Sequence, residues 1–178
     1  CRSLVSIQLP ETMTEMPDHF LSDCRKLRSV NFPPHLKKIG VGALFYCTSL
    51  KSISLPESVL EIGDYAFKCC ESIEEVGIPK AVTRINKETF ANCCRLKWFE
   101  IRNSIESIAS NPFIECFSLK IIGSERFVFH DGALYDEVEK RLISYLGTSS
   151  SYSVSNDTLS IGDRAFCNCK SLLFINLP

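Results

Sequence analysis

A single 23-residue unit accounts for almost the whole of this chain. It is plainest from Cys47 to Cys70, as C-x2-L-x2-I-x-L-P-x2-V-x2-I-G-x2-A-F-x2-C, with Leu50, Ile53, Leu55, Pro56, Val59, Ile62, Gly63, Ala66 and Phe67 at the named places. Cys1, Cys24, Cys93 and Cys116 keep the same spacing, and Cys169 follows Cys116 after 53 residues, which is one period plus 30. A fixed period of this length means a solenoid, because a unit this small cannot bury its own apolar face and must stack on its neighbours.

Within the unit, the set Leu50, Ile53 and Leu55 predicts a short strand, and its counterparts in other units stack into a parallel sheet. Proline follows at Pro10, Pro33, Pro56, Pro79 and Pro178, where a residue with no N–H turns the chain out of the ladder; Arg102 and Ser155 depart from this. Pairs such as Val59 and Ile62 predict a second extended segment. Gly40, Gly63 and Gly162 come next, read as residues taking positive φ, with Asn86 as a substitute. The Ala66-Phe67 step predicts a helical turn that plugs the core with a ring.

Between Ile122 and Tyr152 the period fails. Apolar runs around Asp131-Gly132 predict a β-hairpin, and a second turn falls near Glu137 to Lys140. We read one solenoid domain over residues 1–178, cut from a longer parent, with a β-hairpin insertion over residues 126–146 that projects from a single repeat. At 45% hydrophobic residues the chain is too apolar for disorder. Twenty basic against 21 acidic side chains leave no excess charge for nucleic acid, and no apolar run has the length of a membrane span.

Of ten cysteines, seven share one repeat position and form a column, in which parallel side chains hold Cβ atoms slightly too far apart to bridge. They are expected as buried thiols; Cys69, Cys94 and Cys167 lie off the column and are where reactivity is sought. A column spreads ligands along a line, unlike a tetrahedral zinc site. His19, His35 and His130 are scattered, Glu74-Glu75 and Asp136-Glu137 read as surface charge, and no phosphate-binding loop is present, so neither catalysis nor a cofactor is expected. Asn156-Asp157-Thr158 is a glycosylation sequon, meaningful only in a secreted chain.

The strand position five residues after each cysteine is expected to point outward. It reads Ser6, Ser29, Ser52, Glu75, then Trp98, Ile121 and Phe174, turning apolar. Trp98, Ile121 and Phe174 are the candidate partner-binding residues, since an exposed aromatic patch in a polar surround marks protein contact. The alternative is that Phe127, Phe129 and Tyr135 of the insertion fold back and cover Trp98 and Ile121.

The unit C-x2-L-x2-I-x-L-P with I-G-x2-A-F resembles the BspA-like leucine-rich repeat family over most of the chain. The segment Phe127 to Tyr135 is similar to the F-x-V-x-D-G-x-L-Y interruption found in that family. The resemblance implies a leucine-rich-repeat solenoid and a non-enzymatic surface or secreted protein of anaerobic bacteria or parasitic protists, adhering to host matrix or other cells. The cysteine heading each repeat resembles the protist members more. An intracellular scaffold that docks proteins on the same solenoid is the alternative.

Overall fold

The structure is a computed structural model that describes residues 1–178. It is a β-solenoid of about seven stacked turns of about 23 residues. Each turn contributes two short parallel strands. The first column runs Ser6–Gln8, Ser29–Asn31, Ser52–Ile53, Glu75–Val76, Trp98–Glu100 and Lys120–Ile122. The second runs Glu15–Met16, Lys38–Ile39, Glu61–Ile62, Arg84–Ile85 and Ser107–Ile108. Partners lie one period apart, Ser6 beside Ser29 and Met16 beside Ile39, which is why one apolar position in the unit becomes one continuous row in the core.

The prolines end the first strand as their missing N–H requires, and each carbonyl then accepts the N–H three residues on: Val59 to Pro56 at 3.1 Å, Val82 to Pro79 at 3.1 Å. Arg102 and Ser155 hold the same turn without proline, accepting from Ile105 and Thr158 at 3.0 Å.

The third side of the solenoid is not helical. It is a stack of tight turns in which N–H groups reach the next turn of the coil: Phe67 donates to Thr89 at 3.0 Å and Cys69 to Ala91 at 2.8 Å. In most turns two residues take positive φ there, for example Tyr65 (59°) and Cys69 (61°), or Glu88 (48°) and Asn92 (62°), whereas the turn before Cys116 has only Glu115 (63°). That conformation costs roughly 1–2 kcal/mol for a residue with a Cβ, and the turn-to-turn hydrogen bonds offset it. Gly40 and Gly63 do not have positive φ. They are glycine because the coil's turns approach closely there. A Cβ on Gly63 would stand 2.7 Å from the Val41 nitrogen, and one on Gly40 2.7 Å from the Met16 oxygen.

The rings plug the core as expected. Phe67, Phe90 and Phe113 stack at centroid spacings of 5.5 and 6.0 Å, with Phe99 wedged against Phe90 and Phe113. The hairpin pairs Phe127–His130 with Ala133–Asp136, and Asp131 and Gly132 both have positive φ, the combination that matches strand twist.

The insertion does not project. Phe127 and Leu134 are fully buried in the main core. A further strand, Arg141–Tyr145, pairs antiparallel with Ala133–Asp136 and parallel with Ser160–Ile161, so it serves as the second strand of its turn. Arg141 bridges to the preceding turn through the Ile108 carbonyl at 2.8 Å. Tyr145 takes the ring position: its N–H donates to Ala165 at 2.8 Å, as Phe67 does to Thr89. Asp136 is likewise no surface charge. It is fully buried, accepts from Arg126 and from the Val138 and Glu139 N–H groups, and closes the turn that returns the chain to the coil.

Candidate functional site

The three sequence candidates end up in three different settings. Trp98 is 43% exposed on the outer face of the first-strand column. Ile121 is buried: it pairs with Phe99, and Lys120 stands beside Trp98. The spacing across this pair is 22 residues where the repeat predicts 23, and a one-residue slip exchanges inward and outward side chains. The slip puts Ile121 in the core in place of Ile122, and Lys120 and Ile122 face outward, Ile122 at 59% exposure. Phe174 is 68% exposed but belongs to another sheet, beside Ser151, on the far side of the insertion in the chain's order of strands. Trp98 and Phe174 therefore do not form one patch.

The insertion does not cover Trp98. Phe127 lies in the main core, while Tyr135 joins a smaller cluster and shares a 2.6 Å hydrogen bond with the Tyr152 hydroxyl. Trp98 instead walls a groove of about 410 Å³ that crosses three first-column strands. Ser54, Glu57, Glu75, Gly77 and Arg102 line it with Trp98. Gly77 makes its open floor, for a Cβ there would meet nothing within 4 Å. Arg102 closes one end, bonded to Glu100 at 3.3 Å and to the Ile78 carbonyl at 3.1 Å. Arg102 was legible only as the residue that breaks the proline rule, and Lys120 only through a slip that no local pattern announces.

A second cavity, of about 320 Å³, opens on the turn side among His19, Tyr65, Lys68, Glu88 and Arg164. Glu88 is 1% exposed and paired with both Lys68 and Arg164. Burial pushes its carboxyl up, but the two cationic hydrogen bonds outweigh this and hold it below its ordinary value. A carboxylate so neutralised is a structural clamp, not a base. His130 stacks on Tyr135 at 4.8 Å and is remote in sequence from His19 and His35, and no nucleophile and base converge. No three His, Cys, Asp or Glu residues are grouped to hold a metal ion, and no helix is long and apolar enough to cross a membrane.

All ten cysteines are free. The column does more than fill space. The thiols of Cys47, Cys70, Cys93 and Cys116 donate to the carbonyls of Leu21, Leu44, Phe67 and Phe90 at 3.2–3.3 Å, each adding a second bond to a main-chain acceptor of the preceding turn. Burial raises these thiols, Cys47 to about 12, with Cys70 and Cys93 also well up. Brief alkylation of the native chain at neutral pH is therefore expected to label exposed Cys1 and Cys94 and spare the four donors. Peptide mass spectrometry reads the pattern, and equal labelling of Cys70 and Cys94 would contradict it.

The chain's sequence matches the BspA-type leucine-rich repeat region in six copies, over residues 1–120 and 136–178. The second match starts inside the insertion, in line with Arg141–Tyr145 acting as a strand of the coil. No curated protein matches the chain in sequence. Among solved structures, it is similar to a leucine-rich repeat protein from Bacteroides ovatus, with 24% identity, TM-score 0.68, 100% of this chain and 62% of that one covered. A leucine-rich cell surface protein from Faecalibacterium prausnitzii has 28% identity and TM-score 0.69, with 97% and 60% covered. The pneumococcal vaccine antigen PcpA has 24% identity and TM-score 0.74, with 97% and 44% covered. The chain thus spans about three fifths of the length of the first two of these proteins. The repeats and the coil they build agree, and the chain belongs to the BspA-type leucine-rich repeat family.

Proposed function

We propose that the chain is a non-enzymatic protein-binding module of a cell-surface or secreted protein, which adheres to host matrix or to other cells through the groove walled by Trp98. The observation that carries this is a half-exposed tryptophan, the only one in the chain, standing over an open groove on a rigid parallel sheet. Tryptophan is enriched among residues that dominate protein interfaces, and a repeat sheet offers a broad, pre-formed surface. The surface placement draws support from relatives described as a cell surface protein and a vaccine antigen. Phe174, exposed on a different pair of strands, is a separate contact of the same reading.

Binding of the labelled chain to a decellularised matrix layer, as wild type and as Trp98→Ser, tests the reading. Loss of a hot-spot tryptophan is expected to weaken binding by about 30-fold, the equivalent of about 2 kcal/mol. The melting midpoint should move by no more than about 2 °C, since an exposed substitution stays within about 0.5 kcal/mol. Unchanged binding would sink the reading.

One observation favours a second reading, an intracellular docking scaffold. Ten free cysteines suit a reducing compartment, where bridges do not persist. Fractionation of cells that express the protein separates the two.

A further inference from the structure

We infer that the groove beside Trp98 recognises an arginine side chain presented by a polypeptide partner, an inference that rests on the docking reading and names the chemistry of its ligand. Its charge is the first reason. Glu75 stands exposed in the outward column one turn before Trp98 and makes no hydrogen bond or ion pair. Glu57, also exposed, accepts only the Lys80 backbone N–H, at 3.3 Å, and keeps its other oxygen free. The one cation in the lining, Arg102, is already committed to Glu100 and the Ile78 carbonyl. Lys120 stands on the far side of Trp98, outside the lining. The groove is therefore left with two carboxylates seeking a positive partner.

The indole is the second reason. Two other tyrosine rings of the turn side are occupied by the chain's own cations: Arg25 lies 5.6 Å from the Tyr46 centroid, and Lys68 and Lys87 lie 5.4 and 5.9 Å from Tyr65. No cation of the chain lies over Trp98, although Arg102 and Lys120 flank it. A tryptophan face attracts cations more strongly than a tyrosine face does. Gly77 leaves the floor between wall and carboxylates open, and a volume of about 410 Å³ admits a guanidinium with its stem. Guanidinium is favoured over ammonium because its plane stacks on an indole while its fork pairs with a carboxylate.

The probe is the capped tripeptide acetyl-Gly-Arg-Gly-amide, titrated against Trp98 fluorescence and the Trp98 indole N–H resonance, with the neutral citrulline tripeptide as control. The arginine peptide is expected to saturate with a Kd on the order of 1 mM, about −4 kcal/mol, as suits one anchored side chain. Citrulline in its place, or Glu75→Gln with an unchanged melting midpoint, is expected to weaken binding by about tenfold or more. No response to the arginine peptide, equal binding of the citrulline peptide, or indifference to Glu75→Gln would overturn the inference. If the arginine peptide fails while matrix binding still depends on Trp98, only the arginine assignment falls. If matrix binding ignores Trp98, the docking reading falls on its own evidence.

Discussion

Excision of residues 126–146 is expected to unfold the turns that follow them. The segment carries Phe127, Leu134, Leu142, Ile143 and Tyr145, all at most 2% exposed, and its strand Arg141–Tyr145 is the only backbone partner of Ser160–Ile161. Burial of each such side chain is worth about 1.5–3 kcal/mol, so the five together rival the 5–15 kcal/mol that stabilises a whole domain. Hydrogen exchange of the shortened chain should show the turns before Phe113 protected and those from Ser151 onward open. A shortened chain that keeps uniform protection to its last turn would restore the insertion to an appendage.

Phe90→Ala is the largest effect expected from a single substitution. Phe90 is fully buried and touches three other rings, stacked on Phe67 and Phe113 and tilted against Phe99. The neighbours belong to successive turns fixed by the backbone ladder, so the cavity cannot collapse and the loss should reach about 3–5 kcal/mol. For a chain of this size that lowers the melting midpoint by about 6–20 °C, measurable by circular dichroism. A fall as small as that expected for Trp98→Ser would mean that the ring column does not hold the coil together.

What could be read from the residues was whatever repeats. Each period places an apolar side chain in the same row, so Leu50, Val59 and Phe67 announce their burial through their counterparts in the other turns, and the cysteine column falls out of the same arithmetic. The hairpin was legible for a different reason, since Asp131-Gly132 is a local signal that needs no partner. What escaped depends on neighbours that sequence does not name. Gly63 looks like a flexible residue until the Val41 backbone is seen against it, and the positive φ belongs instead to Tyr65 and Cys69, which no propensity would nominate. The slip that buries Ile121 is a shift in pairing, invisible when repeats are aligned by their cysteines. Asp136 beside Glu137 looked like solvated charge because its cation, Arg126, arrives from the opposite strand of the hairpin. For the candidate site the yield was smaller: Trp98 was singled out, but the carboxylates and the open floor that give it a ligand chemistry emerged only once three turns were stacked.

A solenoid behaves as a chain of nearest neighbours, each turn feeling only the one above and the one below, so its ends can fray without disturbing its middle. The Glu88 clamp departs from that rule. Lys68 and Arg164 meet at one buried carboxylate although Arg164 comes 76 residues after Glu88, reached because Asn111 bonds straight to the Arg164 carbonyl. A tie of that span joins turns on both sides of the interruption. Opening of the turn that carries Arg164 thereby also costs a charge pair to a turn before the interruption, which couples the two sides of the interruption.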